Sequence, residues 1–263
     1  MTFFKTFSAT AAAAFVATSL AFTNPAAATA IAVFGDNQTD EFINTLGGFT
    51  ATVVTDAQIA TPGFLAAFDA FVYTRDGASF GSTLSAAAAA EVKSFVTGNV
   101  TLLVGDFADG ISTDTNIQTL YTNALNFITT GGKGYLGEFN GAVAALTSNS
   151  DGFTALDLVA GSAGGLGFGN GNSADRLVAT QPGHPVLTGA GLPINPDAVE
   201  FGALVTVVDP SVVIAEFVNG IDNNAPGIIA AAVGPNDVPA PGTLALLAAG
   251  LATLGGMKSR RKA

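Results

Sequence analysis

The chain has 263 residues, of which 49% are hydrophobic and 11% charged, with no Cys, no Trp, a single His and a formal net charge of −11. That apolar fraction excludes an intrinsically disordered chain, and the missing Cys excludes disulfide scaffolds, zinc fingers, iron–sulfur sites and cysteine nucleophiles. An acidic balance with scattered Lys and Arg excludes a nucleic-acid partner, which needs a basic stripe for phosphates.

The N-terminal stretch has the order of a secretory signal. Lys5 and the α-amino group make it positive, Phe7 to Phe22 is apolar and uncharged, and Pro25 leads into Ala26-Ala27-Ala28-Thr29-Ala30. Ala28 and Ala30 supply the small residues of an A-x-A cleavage site, which predicts a signal peptide over 1–30 and export by the general secretion machinery.

Residues 31–237 hold all 20 acidic residues and only Arg75, Lys93, Lys133 and Arg176 as bases, a formal charge of −16. One domain fits this length. Ile31 to Phe34, Thr50 to Thr55, Asp69 to Tyr73 and Val100 to Val104 are short, largely apolar runs of the kind that form parallel strands covered on both faces. Between them, Leu84, Ala88, Val92, Phe95 and Val96 make one helical stripe, with Ser82 or Thr83 as its cap and Gly98 as its end. Ile117, Leu120, Tyr121, Ala124, Leu125 and Ile128 make another, with Thr113 or Asp114 as cap and Gly131 as stop. The alternation predicts a doubly wound α/β sheet with right-handed crossovers and a ligand site beyond the carboxyl ends of its strands.

Two chemistries are raised by this first half. Gly77-Ala78-Ser79-Phe80-Gly81 matches the Gly-x-Ser-x-Gly of serine hydrolases, with His184 as the only base available downstream. Thr74-Arg75-Asp76 separates this motif from the strand, however, and helical periodicity starts only near Leu84, so the spacing is not that of a nucleophile elbow. Asp36 follows the first strand, and Asp106, Asp109 and Asp114 follow the fourth. These carboxylates gather at the predicted carboxyl edge, either as oxygen ligands for Ca²⁺ or as a solvated acidic rim, and the rim is the simpler reading. No cofactor is expected.

The segment Gly131-Gly132-Lys133-Gly134-Tyr135-Leu136-Gly137-Glu138-Phe139-Asn140-Gly141-Ala142 reads as a short strand at Tyr135-Leu136, a Gly-flanked turn and the start of a helix at Ala142 to Leu146. It resembles the class I glutamine amidotransferase-like superfamily, whose pattern here is Gly-Gly-x-Gly-Tyr-x-Gly-x-Cys-x-Gly-Ala on a flavodoxin-like sheet. Gly131, Gly132, Gly134, Tyr135, Gly137, Gly141 and Ala142 match, while Phe139 stands at the nucleophile position. A phenyl ring has no lone pair with which to attack a carbonyl, so the resemblance implies a pseudoenzyme. Its binding residues would be Gly137, Glu138, Phe139 and Asn140, with Asp36 and Asp106 nearby. Gly183-His184-Pro185-Val186 is similar to the family's His-Pro-Glu, with Val186 in place of the carboxylate.

Beyond residue 150 the chain turns β-rich. Gly161 to Asn172 carries six Gly in twelve residues and reads as a loop. Ala203 to Val208, Val212 to Phe217 and Ile228 to Val233 read as strands, punctuated by Asp209-Pro210 and Asn219-Gly220.

The last segment runs Val238-Pro239-Ala240-Pro241-Gly242-Thr243, then apolar from Leu244 to Met257, then Lys258-Ser259-Arg260-Arg261-Lys262. At 1.5 Å per residue the apolar part makes roughly 21 Å of helix, a short anchor with basic flanks able to snorkel. This order resembles the PEP-CTERM sorting signal, with Val238, Pro239, Pro241, Arg260 and Arg261 as its marks and Ala240 where the family has Glu. The resemblance implies recognition by an exosortase-type membrane transpeptidase and a final place at the surface, or in the extracellular matrix, of a Gram-negative-type bacterium. Together these features predict a non-catalytic exported binder over 31–237, with extracellular polysaccharide as a partner class and 238–263 as sorting signal. A Ser79–His184 hydrolase and a Ca-bridged matrix component are the alternatives.

Overall fold

The structure, a computed structural model, describes residues 27–35, 38–74, 84–104, 107–139, 166–168, 176–192, 203–205, 209–218 and 226–232. Asp36, Ser79, Asp106, Asn140, the Ala142–Leu146 helix, most of the signal peptide and the whole sorting tail lie outside these residues.

In chain order the first half contains β1 (Thr29–Phe34), α1 (Thr39–Thr45), β2 (Phe49–Val53), α2 (Asp56–Ile59), β3 (Ala70–Tyr73), α3 (Ala86–Phe95), β4 (Val100–Val104), α4 (Thr115–Ile128) and β5 (Gly134–Phe139). The second half adds β6 (Leu166–Phe168), β7 (Arg176–Ala179), β8 (Ala203–Val205), β9 (Val213–Val218) and β10 (Pro226–Ala231). Eight strands form one sheet in the order β2-β1-β3-β5-β4-β10-β9-β7, and β6 pairs with β8 in a separate antiparallel ribbon. The five strands from β2 to β4 are parallel, whereas β10, β9 and β7 join antiparallel. The result is an α/β fold with a mostly parallel sheet and a β-rich C-terminal part. A flavodoxin-like sheet runs 2-1-3-4-5. Here β5 is instead inserted between β3 and β4, so the elbow strand is central.

Strand burial follows composition. β3 and β4, which have no charged residue, are buried along their whole length, as expected for a sheet covered on both faces. α1 and α4 share one face, where the rings of Phe42 and Tyr121 meet edge to face at 6.5 Å. The crossovers β1–α1–β2 and β4–α4–β5 both step the same way along the sheet, and right-handedness puts both helices on that side. The connections β2 to β3 and β3 to β4 step the other way, and α2 packs with α3 on the opposite face.

Caps fix where the helices begin. Asp114 Oδ1 accepts from the N–H groups of Asn116 (2.7 Å) and Ile117 (3.3 Å), which starts α4. Ile117, Leu120, Tyr121, Ala124, Leu125 and Ile128 are its buried stripe, as the periodicity predicts. For α3 the cap is Ser85, whose hydroxyl accepts from the Ala88 N–H at 3.3 Å, rather than Ser82 or Thr83. Thr55, expected to end β2, leaves the strand because it forms a capping box with Gln58. Four elements depart from the sequence expectation by appearing where none was predicted: α1, α2, β7, and β6 inside the Gly-rich segment.

Candidate functional site

The carboxyl ends of β1 and β3 form the topological switch point, because their connections leave to opposite faces and opposite sides. Side chains stitch the two ends together. Thr74, buried just past β3, donates its N–H to the Phe34 carbonyl at 3.1 Å and its hydroxyl to the Gly35 carbonyl at 3.4 Å. Buried Thr39, the first residue of α1, donates in turn to the Thr74 hydroxyl at 3.4 Å. Gly35 is required here on two counts: its φ is +81°, and a Cβ would stand 2.0 Å from the Thr74 carbonyl oxygen.

Next to this seam, β5 ends in Glu138 and Phe139. Glu138 is 3% exposed, and Tyr121 of α4 donates its phenolic hydroxyl to Glu138 Oε1. A carboxyl group taken out of water needs such a donor. Through the Phe42–Tyr121 ring contact, Glu138 is thereby linked to α1 by one continuous line of side chains. Phe139 closes the strand in register with Val104.

Outside that line lies an open cleft of about 460 Å³ between α1 and the start of α4. Gln38, Glu41, Phe42 and Thr45 line it from one helical face, at spacings of three, one and three. Ile111, Ser112 and Gln118 face them from the segment that follows β4. The Gln118 amide is held by its donation to the Ile111 carbonyl at 3.0 Å. Gln38 has φ 59°, the only positive φ at a non-glycine among the described residues. A left-handed Gln is strained, and such strain concentrates where function holds it.

The elbow glycines turn out to serve packing within β5. The strand runs from Gly134 to Phe139, longer than the Tyr135-Leu136 pair expected, so Gly134 and Gly137 lie in the ladder and not in a turn. A Cβ on Gly134 would come 2.0 Å from the Ile128 carbonyl oxygen, where β5 passes under the last turn of α4. A Cβ on Gly137 would stand 2.5 Å from the Tyr135 ring.

Of the other described candidates, His184 lies away from this edge, whereas Asp109 and Asp114 follow β4 beside it. His184 begins a 3-10 turn (Pro185–Leu187) docked on α4 near the helix C-terminus, where its ring meets Phe127 at 5.1 Å. Its Nδ1 accepts from the Val186 N–H at 3.3 Å, and partial burial lowers its pKa below the usual value of 6.5. With Nδ1 accepting, the neutral ring carries its proton on Nε2. Asp114 is committed to its cap, and Asp109 lies in the 3-10 turn Ala108–Gly110 after β4. No group of three or more His, Asp or Glu suited to a metal occurs among the described residues. At the other end of the chain, Ala28 precedes β1 and is exposed, while Ala30 is the second residue of that strand.

Sequence reasoning missed Gln38, Phe42 and the Tyr121–Glu138 bond. The i, i+3, i+4, i+7 run of Gln38, Glu41, Phe42 and Thr45 was the available signal. Among the described residues no helix is long and apolar enough to cross a membrane. No protein-family model, curated protein or solved structure matches this chain.

Proposed function

We propose that this chain is a non-catalytic binding protein of the bacterial exterior, exported through its N-terminal signal and sorted to the surface or extracellular matrix through residues 238–263. Its domain is read as an amidotransferase-like, flavodoxin-like pseudoenzyme. The observation that supports this most is Phe139, the last residue of a central strand at the carboxyl edge, where the amidotransferase pattern places its nucleophile. A phenyl ring has no reacting atom. The insertion of β5 between β3 and β4 is a departure within that kinship. An exosortase-type transpeptidase is the partner read from the tail, and Ala240 is its one mismatch.

Fractionation of cells expressing the full chain, with the tail intact or ended at Asp237, tests the reading. The intact chain is expected at the surface or in the matrix, with a C-terminus upstream of Leu244 by mass spectrometry. Cytosolic full-length protein, or secreted material retaining Ala263, would contradict it.

A further inference from the structure

We infer that the cleft between α1 and the start of α4 binds an uncharged saccharide unit, with Phe42 as the apolar platform and Gln38, Glu41, Ser112 and Gln118 as hydrogen-bonding groups. This rests on the binding reading above and names its site and ligand class. At about 460 Å³ the cleft falls within the roughly 300–1,000 Å³ common for small-molecule sites. Its floor, Phe42 and Ile111, is apolar, and its rim is polar. That combination matches a pyranose, which presents one face of C–H groups and a girdle of hydroxyls.

The rim groups are available. The side chains of Gln38, Glu41 and Ser112 make no hydrogen bond within the described residues, and the Gln118 amide is held by its nitrogen, which keeps its oxygen as an acceptor. Charge selects against other ligand classes. Among the described residues no Lys or Arg lines the cleft, and Glu41 adds a carboxylate, so this lining repels phosphates, sulfates and uronates. The one carboxylate among the described lining residues supplies too few oxygen ligands for a tightly held divalent cation. The left-handed Gln38 gives an independent mark: its backbone strain would be relieved by Gly, yet the residue at the cleft mouth is Gln.

Occupancy of this cleft has its own optical reporter. The chain contains three Tyr and no Trp, and Tyr121 touches Phe42, so a ligand seated on Phe42 alters tyrosine emission.

The full chain is titrated with cellobiose, maltose and N,N′-diacetylchitobiose up to about 10 mM, with glucuronate as the charged control, by tyrosine fluorescence and thermal shift. At least one uncharged sugar is expected to change emission and raise the thermal midpoint, and glucuronate is not. Glu41→Ala should weaken that sugar by roughly tenfold, as loss of one ligand hydrogen bond implies. Gln38→Gly should raise the thermal midpoint of the free protein by about 2 °C while weakening the sugar, an opposition that a merely structural residue would not produce. A sugar that binds both variants as well as the parent chain overturns the cleft and leaves the binding reading intact. Response to glucuronate alone overturns the ligand class, and no response to any of the sugars overturns the proposal. Fractionation independently decides the fate of the export reading.

Discussion

The carboxamide of Asn44 in α1 pairs with both backbone groups of Ala51 in β2, accepting from its N–H at 2.9 Å and donating to its carbonyl at 3.4 Å. β2 is an edge strand with no charged residue and with Val53 46% exposed, the profile of a strand open to pairing with another chain. The Asn44 amide stands in for one residue of a neighbouring strand. Asn44→Ala is expected to lose about 0.5–1 kcal/mol, since both bonds are exposed, and to increase self-association. Denaturant unfolding and light scattering read the two effects, and an unchanged association state would show that the edge is protected by other means.

Gly134 and Gly131 separate steric need from conformational need. At Gly134 a Cβ meets the Ile128 carbonyl, so Gly134→Ala must move either α4 or β5 and is expected to cost about 3 kcal/mol or more. Gly131 has φ +87° and open space around it, so Gly131→Ala should cost only about 1 kcal/mol. Equal losses in urea unfolding would contradict this division.

Thr101 is buried in β4, and its hydroxyl has no hydrogen-bond partner among the described residues. Thr101→Val keeps the shape and removes the desolvated hydroxyl, so it is expected to stabilise the fold by about 1 kcal/mol. A loss of stability would indicate that the hydroxyl is bonded.

His184 makes stability depend on pH. Its pKa in the fold is lowered by burial, so between that lowered value and 6.5 the unfolded chain binds a proton that the folded chain does not. Its contribution is therefore complete above pH 6.5 and is lost as pH falls through the folded pKa. His184→Asn keeps an acceptor for the Val186 N–H and removes the titration. Its unfolding midpoint should fall less than that of the parent chain between pH 7.5 and 5.5; parallel curves would overturn the assignment.

The same Nδ1 bond bears on the hydrolase alternative. His184 Nδ1, the basic nitrogen of that tautomer, already accepts the Val186 N–H, so a fluorophosphonate probe is expected to leave the protein unlabelled. Labelling that disappears in Ser79→Ala would overturn that expectation.

Legibility followed the range of the forces involved. β4 matches Val100–Val104 residue for residue because a short, charge-free run of Val, Thr and Leu needs no partner to be recognised. The α4 stripe and its Asp114 cap are equally local. α1 has only seven residues, and Phe42 gains its role from Tyr121, far away in sequence. The placing of β5 between β3 and β4 is a property of the whole sheet and leaves no trace in the apolar pattern of β5 itself. The cleft was hidden for the same reason, since its two walls come from distant segments.

Ala30 also has a bearing on the order of events in the life of the chain. Its N–H reaches Asp69 Oδ2 at 3.0 Å, its carbonyl accepts from the Asp69 N–H at 2.7 Å, and it stands in register with Thr50. On the export reading, the bond after Ala30 is the one a signal peptidase would cut. Once β1 has zipped between β2 and β3, that bond is built into the sheet and closed to a protease. On that reading, maturation at Ala30 would be confined to the interval before the first strand folds, and a chain that folded too early would keep its leader.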